Sequence, residues 1–307
     1  MAIDRVTVGS VEIVRVTDGS ITGPPAFFFS GIPPSMYEPA LGSGLRSDGM
    51  IDIEFGSFLV RSSGKTLLID TGMGNKRGSP GGRLLDSLKQ IGVSPGDIDV
   101  VMNTHLHINH VGWNCIEQDG AFVPTFPNAE YWVAEKEWPF WTSDPDLVAE
   151  EGQHLVSDVL PLQDSPQLKL VDGEAAITPE VSLLPTPGHT PGYSSLAISS
   201  AGESAIILGD VAHHPLHLER LWIASVDELP RTSRRTKRAL AQRLIDEQFT
   251  GGRRALLVGR VRAAGDGGWT AELANALARL RRVDLKRRVI GTRHVDPDLP
   301  SCRRLQL

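Results

Sequence analysis

Alternating apolar and polar positions dominate the first two-thirds of the chain. Residues 6–16 (VTVGSVEIVRV) alternate with the period of two that marks a strand or hairpin. Residues 17–50 break the pattern: Pro24-Pro25, Phe27-Phe28-Phe29 and Pro33-Pro34 stand among glycines, and the stretch reads as a lid or binding loop. Asp52–Arg61 and Thr66–Asp70 predict two strands around the turn Ser62-Ser63-Gly64-Lys65. Arg83–Ile91 has helical periodicity and stops at Gly92, and Val100–Met102 is a strand of buried type. Ala129–Val133 predicts another strand, with helical segments following as far as Leu160. Strand-like runs return at Leu168–Val171, Val181–Leu184, Ser194–Ile198 and Ala205–Leu208. Arg231–Gln248 predicts a basic helix, Ala255–Arg262 a strand and Thr270–Arg282 a further helix. Successive strands interspersed with helices predict sheets covered by helices.

Composition narrows the class. The 307 residues are 40% apolar and 22% charged, enough for a sizeable core. No apolar run approaches the roughly 18–20 residues of a membrane span. The N-terminal segment reads as a strand and has no signal-peptide core, and two cysteines, Cys115 and Cys302, make no disulfide framework. These features predict a cytoplasmic protein that does not enter membranes.

The formal charge of −6 hides an asymmetry. Residues 1–219 hold 11 basic and 28 acidic side chains, whereas residues 220–307 hold 20 basic and 9 acidic ones. An acidic body is joined to a basic tail.

The chemistry concentrates in Thr104-His105-Leu106-His107-Ile108-Asn109-His110, directly after an apolar strand. His105 and His107 lie two residues apart and can converge on one point, while His110 falls on the next turn. Imidazole suits zinc and similar divalent ions, typically in tetrahedral geometry. Two later strand ends offer more donors: His189 in TPGHTPG and Asp210 in LGD. Three imidazoles and a carboxylate from strand ends form a ligand set without cysteine.

With these four ordered motifs (LLIDTG with Asp70, THLHINH, TPGHTPG and LGD) the chain resembles the metallo-β-lactamase-fold hydrolase superfamily, in particular its small lactonases and organophosphate or ester hydrolases. The likeness covers roughly residues 5–262. It implies an α+β fold, an αββα sandwich of two mixed β-sheets flanked by helices. The hydrolase domain would then span 1–262, and 263–307 would be a basic helical extension. The resemblance also implies that His105, His107 and His189 hold a first metal and that His110 serves a second, with Asp210 bridging. Asp70 would orient ligands. A metal-bound hydroxide would attack a small ester, lactone or phosphotriester. His213, three residues after Asp210, would donate a hydrogen bond to the developing oxyanion. Phe27, Phe28 and Phe29 would wall the substrate pocket, and His214 and His217 would face solvent or pack locally. Zinc fits these donors, as do manganese, cobalt or iron. Relatives of this type pair through the N-terminal loop region, which implies a homodimer.

Two departures bear on the second metal. The family pattern HxHxDH carries Asn109 at its fifth position here, and an amide oxygen is a neutral, weaker ligand that cannot take a proton. The late histidine of the family is missing too: Ala255–Val258 runs into GRVRAAG, and the one later histidine is His294 in the basic tail. These changes predict one firmly bound ion and a weak second one. Two other readings stand beside the hydrolase. One is a catalytically impaired relative that binds a ligand or partner through the old cleft. The other is a nucleic-acid-processing member using the basic tail, against which the acidic body argues.

Overall fold

The computed structural model describes residues 5–76, 78–250 and 255–258. A hairpin of β1 (Arg5–Val8) and β2 (Val11–Gly23) opens a seven-stranded sheet. The sheet continues through β3 (Ile51–Ser62), β4 (Lys65–Ile69) and β5 (Val100–Met102). A small hairpin, β6 (Cys115–Gln118) with β7 (Ala121–Pro124), stands apart, and β8 (Glu130–Ala134) and β9 (Leu168–Val171) complete the large sheet. A five-stranded sheet follows, made of β10 (Ala175–Ala176), β11 (Val181–Pro185), β12 (Ser194–Ser200), β13 (Glu203–Ile207) and β14 (Ala255–Val258). Pairing is antiparallel from β1 to β4 and parallel from β4 through β5 and β8 to β9, so the large sheet is mixed.

Strand alternation assigns the layers. Ile13, Phe58, Val60, Leu67, Ile69, Val100 and Met102 point from the large sheet towards Val181, Leu183, Leu196, Ile198, Ala205 and Ile207 of the other. Their alternate neighbours Val14, Leu59, Leu68 and Val101 face the opposite way and pack under α2 (Leu84–Gln90), α4 (Glu137–Thr142) and α5 (Pro145–Glu151). On the far face of the second sheet, Leu184, Ile206 and Leu208 meet α6 (Pro215–Arg220) and α7 (Pro230–Thr250) through Leu218, Leu240 and Leu244. Helix, sheet, sheet, helix is the order of layers. A one-residue register slip would turn every inter-sheet side chain outward, which is why the alternation fixes the sandwich.

Residues 17–50 are more regular than their sequence pattern predicts. β2 carries through a bulge between Thr17 and Gly19 and pairs with β3 as far as Gly23. A short 3-10 turn (Pro25–Phe27) and α1 (Pro34–Leu41) follow, anchored by Phe28, Phe29, Tyr37, Leu41 and Ile51 against Leu216 of α6. The aromatic triplet thus serves a core of its own. The β6–β7 hairpin and β10 had no counterpart in the sequence reading, being strands of four, four and two residues. Thr270–Arg282, the 263–307 extension, residues 259–262 of the last predicted strand, Cys302 and His294 lie outside the described residues.

Candidate metal centre

Four strand ends deliver the polar cluster. β4 ends into Asp70, β5 into Thr104–His107, β11 into the His189 loop and β13 into Asp210. Asp70 takes a left-handed backbone with φ 59°. That conformation is strained for most residues and tolerated by Asp. It is held there by its own N–H donating to Met102 O at 2.9 Å, while its carboxylate accepts from Thr104 N at 2.7 Å and Thr104 Oγ1 at 2.9 Å. The same carboxylate lies 3.0 Å from His110 Nδ1. Asp70 therefore aims His110 and ties the histidine loop to β4.

His105 Nε2 lies 2.8 Å from His107 Nδ1, which in turn lies 3.0 Å from His189 Nε2. Asp210 Oδ2 completes the cluster at 3.9 Å from His105 Nε2, 3.6 Å from His189 Nε2 and 3.0 Å from His110 Nε2. Two triads meet the geometry of a cation site, His105 with His107 and His189, and His105 with His110 and Asp210. Ligands about 2.0–2.1 Å from a tetrahedral ion stand roughly 3.3–3.4 Å apart, close to these spacings. Three imidazole nitrogens facing one another at 2.8–3.0 Å cannot all carry protons at once, and the lone pairs they turn inward make a donor set that fits a divalent cation.

Burial and mutual proximity hold the His105 and His107 imidazoles well below the usual histidine range, which keeps their lone pairs available. Burial alone would raise the Asp210 carboxyl, yet His110 and His213 beside it hold it well below the ordinary carboxylate range.

The remaining residues singled out by sequence fall in distinct places. Asn109 sits half-buried on the four-residue α3 (Ile108–Val111), between exposed Ile108 and buried His110. His213 is buried, its Nε2 3.8 Å from Asp210 Oδ2 and its ring stacked on Phe28 at 4.3 Å. Phe28 therefore borders the site through His213. Phe27 is half-buried, its carbonyl accepting from Ser225 Oγ at 2.6 Å. Phe29 lines no open wall: it is buried and stacked on Tyr37 at 4.5 Å, with its edge towards His214 and His217. Those two histidines are buried rather than in solvent, His217 Nε2 donating to Phe28 O at 2.9 Å and His214 Nδ1 capping α6 at Leu216 N.

Three supporting residues escaped the sequence reading. Tyr193 OH donates to Leu208 O at 3.0 Å and accepts from Asp210 N at 2.6 Å; any Cβ on Gly209, at φ 55°, would strike that hydroxyl. The glycine of LGD is thus required by the tyrosine behind it. Glu137 on α4, buried, accepts from Leu106 N (3.2 Å), Trp141 Nε1 (2.6 Å), Thr190 Oγ1 (2.7 Å) and Gly192 N (2.9 Å), pinning the loops of His105 and His189 to each other. Asp227 accepts from His189 Nδ1 at 3.2 Å. Nothing in the sequence distinguishes Glu137 from the charged residues around it, and Asp227, just before Pro230, reads as an ordinary helix start.

The profile of the Metallo-beta-lactamase superfamily matches residues 57–253, the span holding all four motifs. The chain belongs to that superfamily. An N-acyl homoserine lactonase of a Bacillus species is 27% identical over 191 residues, 55% of this chain and 68% of that protein. The structure of AidC, a dizinc quorum-quenching lactonase bound to a product, superposes with a TM-score of 0.69 at 25% identity, over 85% of this chain and 90% of that one. A probable metal-dependent hydrolase from Staphylococcus aureus has a TM-score of 0.69 at 21% identity, over 83% and 91% of the two chains, and shares the fold. Family and neighbours together point to divalent metal binding and hydrolase chemistry in this superfamily member. No helix among the described residues is long and apolar enough to cross a membrane.

Proposed function

We propose that the chain is a metal-dependent hydrolase of a small, uncharged ester, lactone or phosphotriester. The observation that carries this reading is the convergence of His105 Nε2, His107 Nδ1, His189 Nε2 and Asp210 Oδ2 within a few ångströms, all buried or nearly so. His105, His107 and His189 would hold one ion and His110 with Asp210 would serve a second; zinc, manganese, cobalt and iron all suit such donors. A bound cation supplies Lewis acidity, polarising the acyl or phosphoryl oxygen and bringing the pKa of water towards neutrality.

The chain's own residues supply orientation and proton control. Asp70 and Asp227 fix the rings of His110 and His189. His213, held by Phe28 against the site, donates a hydrogen bond to the substrate oxygen as charge develops there. Asn109 adds only a neutral oxygen beside His110, so the second ion is held weakly and the first firmly. The N-acyl homoserine lactonase relatives favour a lactone within this substrate class.

Hydrolysis of a lactone, an aryl ester and a phosphotriester by the metal-loaded chain, the chelator-stripped chain and the variants His105→Ala and His189→Ala tests the reading. Turnover on at least one substrate, lost on stripping and in both variants, is expected. Turnover surviving in both variants would reject it.

A further inference from the structure

Helix α7 carries a buried stripe at Ser233, Lys237, Leu240 and Leu244, spaced four, three and four residues as one helical face requires. Two of these positions are polar, and Lys237 is only 1% exposed. A lysine so deeply buried is costly unless paired, and each of its contacts has a defined partner. Its Nζ donates to Asp227 Oδ2 at 2.8 Å and to Ser233 Oγ at 2.8 Å. Ser233 Oγ in turn donates to Asp227 Oδ2 at 2.7 Å, and Ala224 N donates to the same oxygen at 3.2 Å. Three donors thus occupy Oδ2, which leaves Oδ1 to His189 Nδ1 at 3.2 Å.

The same segment grips the His189 loop by its backbone. Glu228 N donates to His189 O and Leu229 N to Gly188 O, each at 2.9 Å, and Thr236 Oγ1 donates to Pro187 O at 2.6 Å. Gly188 lies so close beneath α7 that a Cβ there would overlap Ser233. Those bonds hold the main chain; only Asp227 addresses the imidazole itself. Among the three imidazoles of the first triad, His105 Nδ1 meets the Thr104 hydroxyl, whereas His189 Nδ1 has a carboxylate behind it.

We propose that Asp227 and Lys237 are positioning residues for the metal centre. Lys237, delivered by α7, and Ser233 hold Asp227 with Oδ1 facing His189, so that Nδ1 carries the proton and Nε2 presents its lone pair to the cluster. A buried ion pair is weak evidence for stability, since apolar side chains of similar shape commonly replace one without loss. Its use here is to fix a tautomer and a ring orientation, the usual role of a carboxylate behind a metal-bound histidine. This inference rests on the metal-binding reading of the site.

The test is Co2+ binding to the full-length chain, stripped of metal and titrated against a chromophoric chelator, with the visible Co2+ spectrum and the metal-free thermal midpoint recorded in parallel. The variants are Lys237→Met, Asp227→Leu and the double Asp227→Leu/Lys237→Met, the last removing both charges together. The double variant is expected to regain the thermal midpoint lost in the single ones while binding its first ion about 10- to 100-fold more weakly, with an altered spectrum. Wild-type affinity and spectrum in the double variant would overturn the positioning role and leave the pair purely structural. A wild-type chain that takes up no Co2+ would defeat the metal reading itself, and this inference with it.

Discussion

Asn109 is one atom type away from a very different metal site. Its neighbour His110 already meets two carboxylates, Asp70 at 3.0 Å on Nδ1 and Asp210 at 3.0 Å on Nε2, and an aspartate at 109 would add a negative charge next to it in the chain. Asn109→Asp is expected to tighten the second ion by at least about tenfold in a calorimetric titration, leaving the first unchanged. His213 makes a separate prediction. His213→Ala should lower kcat by about 10²–10³-fold with little change in KM, the signature of a donor used in the transition state. His214 bears on stability instead. Burial depresses its pKa from 6.5 to about 4, so the unfolded chain takes up a proton that the folded chain refuses. The stability it permits is fully present above pH 6.5 and falls by about 3 kcal/mol as pH drops to about 4. Urea unfolding from pH 7.5 to 4.5 should show a shallower acid limb in His214→Asn, whose side-chain oxygen still caps Leu216.

At the scale of elements, the loops of His105 and His189 are clamped from behind by helices. Glu137 on α4 joins the His105 and His189 loops, and α7 brings Lys237 to Asp227. Burial would raise the Asp227 carboxyl, but Lys237 and the His189 hydrogen bond hold it low, the mark of a carboxylate kept charged by its partners. Lys237→Met strands that charge, and a loss of about 3–5 kcal/mol in denaturant unfolding is expected. These clamps were not legible in the sequence. Lys237 sits among Arg234, Arg235 and Arg238, a run that reads as a solvated basic face, and only the spacing of Ser233, Leu240 and Leu244 hints that it turns inward. The histidine cluster was legible because a strand end followed by HxHxNH has few other uses, whereas a lone acid or lysine has many.

Across the whole molecule, the alternation that predicted strands also sets the sandwich, and the strand positions held to within a few residues for most of the two main sheets. The pattern failed where tertiary contacts override it. The bulge at Thr17 carries β2 on to Gly23, and Phe28 and Phe29 fold inward against α6 instead of lining an open cleft. The charge asymmetry also gains a structural meaning: the acidic body supplies the histidine–carboxylate cluster, and the first helix of the basic portion reaches it from Lys237 through Asp227 to His189. The account stands most directly on metal content, measured by elemental analysis of the full-length chain purified without chelators, alongside His105→Ala and His189→Ala. One tightly held divalent ion per chain, lost in both variants, is the expected result. No ion in the wild-type chain, or an ion retained in both variants, would contradict it.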